Sequence, residues 1–500
     1  MLNFFKKFWK ESLLFSIVAI VYIICTAPQG TWVFLDCDLY DFMYSTKFMT
    51  ISHFPGFPVY IVWGALIQSF YSEGSVWALA LFGSTIPAIL TIVMVFFITR
   101  KLTDNKWSPY VASLGLAGAS AYFSQTIIPE VYSFSIFMMV FTWFLLVHQK
   151  YSLGAIVGGL CCGTHVFCAP AILAMFFYYS GFRKKWFLFV PFIILPYLYV
   201  VFAAATRSEW NASLPAGSGI EGFLRTYVWG TIYDNFKYWG AIAIWNFPKR
   251  LFETAVLLTT SFGLALIPMF YYFRDWKKAG FIIACIAVPV FYYIGCNVET
   301  SYVHFTLAFP FFAVAAGLGL SKFKLHPSII LMVSGALLVI FPLSFDIGNT
   351  LDKNFSAYNM YQQIERIPDG SVVFGYCEDT RGNQSVGGRE QVGIMYYDRL
   401  KRKSIVPLNT SWLVNSDVVG DKSISGWTKD TLRKFGLITP EMIVIENMDE
   451  KLTREQWKTL VLEDMKRLKE ANPDRKFYIT QTINDETGNN YNFDRRLVEW

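Results

Sequence analysis

Through the first two thirds of the chain, apolar residues come in blocks long enough to cross a bilayer; in the last third, apolar and polar positions alternate over shorter distances. A membrane-crossing helix needs about 20 mostly apolar residues. That rule predicts spans at 12–28, 75–99, 108–128, 131–148, 186–205, 251–272, 279–296, 304–321 and 327–345. Between 153 and 180 an apolar stretch is interrupted at Gly163-Thr164-His165, which predicts two short helices meeting at a turn. Residues 57–72 form a short run that opens with prolines, and they are expected as an interfacial helix within a first outer loop at 29–74. No small-residue cleavage site follows the first apolar run, so it is expected to stay as a signal anchor.

Lysine and arginine are retained on the cytoplasmic side of a membrane protein. With the N-terminus inside, 15 of the 21 basic residues before position 346 fall in inner loops, among them Lys10, Arg100, Lys106, Lys150 and Arg183-Lys184-Lys185. The outside receives Lys47, Arg207, Arg225, Lys237, Lys249 and Arg250. The expectation is therefore about 11 crossings over residues 1–346, followed by an extracytoplasmic soluble domain at 347–500. Composition agrees: 16% of the 500 residues are charged, against about 25% in a soluble chain. Residues 347–500 hold 22 basic and 23 acidic residues, whereas 1–346 hold only 21 and 14. This excludes one large soluble enzyme, a disordered chain and a nucleic-acid binder, because the positive excess lies among apolar segments.

In the last third, Ser371–Tyr376, Met442–Glu446 and Phe477–Ile483 are expected as strands. Thr453-Arg454-Glu455-Gln456 is a capping box, and Trp457, Leu460, Val461, Met465 and Leu468 mark one helical face, giving a small α/β domain. The eight cysteines fit no metal or redox spacing; Cys25, Cys161, Cys162 and Cys285 lie in apolar runs and are expected as core residues. Four N-x-[ST] sequons, at Asn211, Asn354, Asn383 and Asn409, fall on the expected outer side.

Four polar clusters on that side could carry chemistry. In Asp36-Cys37-Asp38-Leu39-Tyr40-Asp41-Phe42, Asp38 and Asp41 are three apart and would share a helix face. Their repulsion and burial would raise one pKa toward a general base's range; the plainer reading is a solvated loop with one aspartate capping a helix. In Ser52-His53-Phe54-Pro55-Gly56-Phe57-Pro58-Val59-Tyr60, two prolines and a glycine fix a bend that presents His53. Pro129-Glu130-Val131-Tyr132 returns an acid to the same side, as acceptor or cation ligand or as an ordinary helix-start glutamate. His165 stands at the hairpin tip, where a satisfied structural histidine is the simpler alternative. Arg225, Lys249 and Arg250 suit a lipid phosphate or plain snorkelling, with Lys249-Arg250 directly preceding a span. No local ligand spacing supports a metal.

Together these motifs resemble the glycosyltransferase C superfamily, polytopic enzymes that use polyprenyl-phosphate-linked sugars, and within it a protein O-mannosyltransferase-like branch. That branch carries D-x-G-E-F in the first outer loop, then H-P-P-G-[YF]-P-[LV]-Y, E-V-Y and G-x-x-x-G-x-H. Here Asp38, Asp41 and Phe42 match the first; His53, Pro55, Gly56, Pro58 and Tyr60 the second; Glu130-Val131-Tyr132 the third; and Gly159, Gly163 and His165 the fourth. The chain departs at Leu39-Tyr40, at Asp41 in place of glutamate and at Phe54, and Asp36 competes with Asp38 for the matched acid. The resemblance covers about residues 10–300. It implies transfer of a sugar, mannose by analogy, from a polyprenyl-phosphate donor to an acceptor hydroxyl on protein or glycan, with inversion. Asp38 and Asp41 would be catalytic, His53, Glu130, Tyr132 and His165 would bind substrate, and Arg225, Lys249 and Arg250 would hold the lipid phosphate. A divalent cation on Asp41 and Glu130 is the other way to neutralise that phosphate.

A transporter or lipid flippase is the rival reading. It predicts ionisable residues at mid-span and an internal repeat, and the sequence shows few of the former and no evident repeat. A third reading is a membrane protein that only displays its outer domain.

Overall fold

The computed structural model describes residues 9–29, 38–52, 56–206, 243–295, 302–320, 326–341, 362–375, 399, 401, 404–409, 436–438, 454–483 and 494–500. By its internal contacts the chain divides into two compact units. The first comprises Met1–Pro28, Phe54–Ala203 and Leu224–Lys353; the second Gln29–His53, Ala204–Phe223 and Asn354–Trp500.

The first unit is helical. Its elements are α1 (Trp9–Ile24), α3 (Pro58–Gln68), α4 (Val76–Leu102), α5 (Ser108–Ala117), α6 (Ser120–Ser124), α7 (Val131–Val147), α8 (Tyr151–Cys162), α9 (Ala169–Tyr178), α10 (Trp186–Thr206), α11 (Ala243–Phe262), α12 (Leu266–Phe273), α13 (Trp276–Gly295), α14 (Tyr302–Leu320) and α15 (Pro327–Phe341). Five stretches among the described residues are long and apolar enough to span a bilayer: Val76–Leu102, Trp186–Ala203, Phe247–Phe273, Trp276–Gly295 and Tyr302–Leu320.

Two departures from the expected spans have physical causes. The stretch at 108–128 is not one helix, because α5 stops at Gly118, where an added Cβ would lie 2.7 Å from the Ser334 carbonyl of α15. Helix α11 begins at Ala243, so Lys249 and Arg250 lie inside it rather than before it; a hydropathy reading ends a span at its last charge, but the Arg250–Glu253 pair at 2.9 Å satisfies the charge within the helix. Pro248 there, and Pro191 and Pro196 in α10, sit inside helices, as membrane helices tolerate. Helix α3 has 11 residues, about 16 Å of rise, too short to cross a hydrocarbon core of about 30 Å.

Several polar groups in this apolar unit bond to one another, as an apolar environment favours. The Tyr22 hydroxyl of α1 donates to the Ala117 carbonyl of α5 at 2.9 Å, Thr26 pairs with Thr85 at 3.0 Å, and the Ala27 N–H donates to the Ile127 carbonyl at 2.7 Å. Cys25, Cys161, Cys162, Cys168 and Cys285 are buried; Cys37 and Cys377 lie outside the described residues.

In the second unit, α2 (Leu39–Phe48) is followed by a four-stranded sheet of β1 (Val372–Gly375), β2 (Val406–Asn409), β3 (Phe477–Ile483) and β4 (Asp494–Glu499), with α16 (Arg454–Ala471) between β2 and β3. Sheet order is β2-β1-β3-β4; β1 runs parallel to β2 and β3, and β4 antiparallel to β3. The parallel register pairs Val372 with Val406 and with Phe477, the right kind of pairing for an α/β arrangement. Two of the strands escaped the sequence reading, β2 because it contains Pro407 and β4 because it is charged. Both are edge strands, where proline and charge are tolerated and limit edge-to-edge pairing. The strand expected at Met442–Glu446 and the capping Thr453 lie outside the described residues.

Candidate active site

Within the first unit, three of the four motif-bearing segments meet. A π-helical turn at Leu81–Thr85 inside α4 makes the seat; such single turns widen a helix and recur at functional sites. Its Ser84 hydroxyl donates to the Glu130 carbonyl at 3.0 Å and accepts the Glu130 N–H at 3.1 Å, and the Ser133 hydroxyl donates to the Ser84 carbonyl at 2.6 Å. Thr85 donates to the Thr126 carbonyl at 2.8 Å. The loop leading into α7 is thereby stitched to α4, and Glu130 occupies the N-cap position of α7, in extended conformation and 1% exposed. A carboxylate there is favoured by the helix dipole. The Tyr60 ring of α3, fully buried, lies beside Ser84 and within electrostatic reach of Glu130.

Pro58 opens α3, preceded by Gly56 (φ 87°) and Phe57 (φ 39°). Two successive left-handed residues make the bend that the Pro-Gly-x-Pro run announced, and glycine is the residue that adopts such a φ without strain. The Val59 N–H donates to the Gly163 carbonyl at 3.1 Å, which docks α3 on the tip of the α8–α9 hairpin. The motif glycines are close-packing positions: a Cβ on Gly159 would sit 2.6 Å from the Phe189 carbonyl, and one on Gly163 2.9 Å from both Pro196 and Val59.

His165 follows that tip, 3% exposed, and its Nδ1 accepts the Phe167 N–H at 3.1 Å. In the neutral ring the proton is then on Nε2. Around it stand Phe57, Tyr132, Phe167 and His304, with ring centroids 5.2–5.4 Å away. The Tyr132 hydroxyl bonds His304 Nε2 at 3.2 Å, and the Tyr292 ring packs at a tilt against His304, with centroids 4.9 Å apart. His304 belongs to α14 and carried no motif; only its position next to an apolar run distinguished it. Tyr132 and His165, from separate segments, are therefore ring neighbours in one aromatic cluster that His304 completes, and Glu130 stands two residues before Tyr132 at the start of α7.

Next to it lies a groove of about 560 Å³ lined by Lys249, Arg250, Glu253, Val256, Tyr293 and Tyr302, among others. Adjacent residues of α13 divide the two places: Tyr292 packs on His304 and Phe167, and Tyr293 lines the groove. Arg250 is 7% exposed, bonded to Glu253 at 2.9 Å, with its guanidinium 5.7 Å from the Tyr293 ring; Lys249 is 3.7 Å from Glu253 and exposed. The groove is thus cationic at one end and apolar along Phe252, Val256 and Leu257. Arg225 lies outside the described residues.

The acids of the first motif belong to the second unit. Asp38 is half-buried at the N-cap of α2, but its side chain does not accept the helix's own N–H groups. Asp41, 8% exposed, accepts from Ser45 Oγ at 3.4 Å on one oxygen and from Ser52 Oγ on the other. Asp38 is therefore a cap residue rather than a residue of the helix body, and Asp41 is the more enclosed of the two. Arg399 braces the same helix: it donates to the Tyr44 hydroxyl at 3.1 Å and lies 4.5 Å from the Phe48 ring. Asp36 and His53 are outside the described residues. Among the described residues, no three His, Cys, Asp or Glu side chains converge to hold a metal.

No family model and no curated protein matches the chain. Solved structures similar to it include two of ArnT. One is ArnT from Cupriavidus metallidurans bound to undecaprenyl phosphate, with a TM-score of 0.53 and 10% identity over 82% of this chain and 91% of that one. The other is ArnT from the same organism in the apo state, with a TM-score of 0.48 and 10% identity over 81% and 91%. The chain is a mostly helical protein with apolar spans, and its fold is similar to that of ArnT.

Proposed function

We propose that this chain is an integral membrane glycosyltransferase that moves a sugar from a polyprenyl-phosphate donor to an acceptor hydroxyl. ArnT is a polyprenyl-phosphate-dependent glycosyltransferase of the superfamily that the sequence motifs resemble, and that likeness of fold supports the class of donor. The observation that carries the reading is local: Tyr132 and His165, from two of the resembling motifs, share one ring cluster, with Glu130 at the start of the helix that bears Tyr132, beside a groove with a cationic end and an apolar wall. Such a groove suits an amphiphile with a phosphate head and a hydrocarbon tail.

The chemistry is displacement at the anomeric carbon. The acceptor oxygen attacks from the face opposite the phosphate, its proton passes to the Asp38 carboxylate, and the carbon–oxygen bond to phosphate breaks with the electron pair leaving on the phosphate oxygen. The product has inverted configuration. Lys249 and Arg250 stabilise the developing phosphate charge. Asp41, held by two serine hydroxyls, fixes the start of α2 and the segment that leads to His53. Positioning the hydroxyl beside its base supplies much of the rate. Mannose as the sugar and protein as the acceptor complete the proposal, on the strength of the motif resemblance, as do an inside N-terminus and an extracytoplasmic C-terminal domain.

The test is transfer of radiolabelled mannose from polyprenyl-phosphate-mannose in membranes, comparing the natural chain with Asp38→Asn. Loss of a general base lowers the rate by about 10²–10⁴-fold, with the variant still folded. Equal transfer by the two chains removes Asp38 as base; absence of transfer from any polyprenyl-phosphate sugar removes the reading itself.

A further inference from the structure

A second cavity lies at the opposite end of the helical unit and plays no part in the proposed transfer. It measures about 600 Å³ and is formed where α1 begins, α4 ends and α5 begins, and Lys10, Arg100, Lys106, Glu11 and Asp104 are among the residues that line it. Ser84 holds Glu130, and Arg100 lies sixteen residues further along the same helix. At 1.5 Å per residue that is about 24 Å, close to the thickness of a hydrocarbon core. The two places therefore belong to opposite membrane surfaces.

We infer that this cavity binds the headgroup of an anionic glycerophospholipid from the surrounding leaflet. Three observations carry the inference. First, charge: three cations against two acids leave one net positive charge, the complement of a single phosphodiester. Glu11 is already engaged, accepting from the Tyr110 hydroxyl at 2.9 Å and pairing with Arg100 at 3.9 Å, so Lys10 and Lys106 are the cations best placed to meet a phosphate. Second, depth: Trp9 is 57% exposed and Trp107 37%, with Lys10 and Lys106 set 5.6 and 5.8 Å from their respective rings. Tryptophans beside lysines are the furniture of a headgroup layer, and basic pockets between helices on the positively charged side take up anionic headgroups. Third, lining: the Thr103 Oγ1 and Asn105 Oδ1 accept backbone N–H groups of the turn, which leaves the Thr103 O–H and the Asn105 amide N–H as donors on the lining, while the buried Phe96 forms an apolar floor. A zwitterionic headgroup would bring its own cation against the lysines, so the site selects a lipid with net negative charge.

The experiment uses the full chain in detergent micelles, titrated with phosphatidylglycerol, phosphatidylcholine or inorganic phosphate, reading thermal unfolding and co-purified lipid. Phosphatidylglycerol raises the melting temperature and phosphatidylcholine does not. The double variant Lys10→Ala/Lys106→Ala weakens the apparent affinity for phosphatidylglycerol roughly 30-fold, from the worth of two basic residues at an anionic surface. Should that variant lose its fold, Lys10→Gln/Lys106→Gln, which keeps the length of both side chains, takes its place. A shift that survives both variants, or that phosphatidylcholine produces equally, overturns the inference. An equal shift with inorganic phosphate overturns the lipid source and assigns the cavity to a soluble anion. The readout is independent of sugar transfer, so it stands or falls apart from the proposed activity.

Discussion

Substituting Gly163 by alanine tests how the site is held together. An added methyl would lie 2.9 Å from the Pro196 Cβ and 2.9 Å from the Val59 Cγ2, whereas carbon atoms pack at about 3.5–4.0 Å. The overlap is therefore about 0.6–1 Å on each side. Pro196 is a rigid ring inside α10, so the relief has to come mainly from α3, which is also tied to this glycine by the Val59 N–H. Overpacking of this kind costs about 1–3 kcal/mol. Moving α3 shifts Tyr60, and a displacement of about 1 Å at a reacting centre can cost about 100-fold in rate. The assay pairs thermal unfolding of the purified protein in detergent with the transfer rate. Val59→Ala combined with Gly163→Ala should recover part of both losses, since it clears one of the two clashes. Gly280→Ala, where nothing lies within 4 Å of the added Cβ, should change neither. A Gly163→Ala protein as stable and as active as the natural chain would refute the reasoning.

Two further outcomes follow from the same geometry. Arg250→Ala should lower kcat/KM for the donor about tenfold, since the guanidinium both binds the phosphate and stabilises the charge it develops on leaving, and Arg250→Lys should recover part of it; an unchanged kcat/KM contradicts the groove assignment. His304→Phe keeps a ring against Tyr132, His165 and Tyr292 but removes the ring nitrogen 3.2 Å from the Tyr132 hydroxyl, so stability should fall by about 1 kcal/mol, the worth of one hydrogen bond, and transfer by the folded variant about fivefold; unchanged transfer shows that the histidine only packs.

Much of the helical unit was legible in the sequence, because a bilayer leaves backbone polar groups few options and apolar length reports a helix directly. The hairpin at 153–180 was readable from its interruption, and the structure places its turn at Gly163–His165 between α8 and α9. What escaped were places where packing overrides hydropathy. Helix α5 ends at Gly118 under the Ser334 carbonyl, and α11 carries Lys249 and Arg250 within its body because Glu253 stands three and four residues on. Strands β2 and β4 were missed because their edge positions relax the composition that marks a strand.

The sequence by itself determined the class of molecule, the glycine and proline positions where the chain must bend or pack tightly, and the residue types at the candidate site, since these follow from local chemistry and spacing. Tertiary structure alone decided the company those residues keep. Nothing in the order of residues says that a π-turn in α4 holds Glu130, that His304 meets Tyr132 across 172 positions, or that Arg399 braces the helix bearing Asp41 across 355. Such pairings arise when separate helices bury their apolar faces against one another, and the polar groups carried along must then find partners among whatever that packing brings within reach.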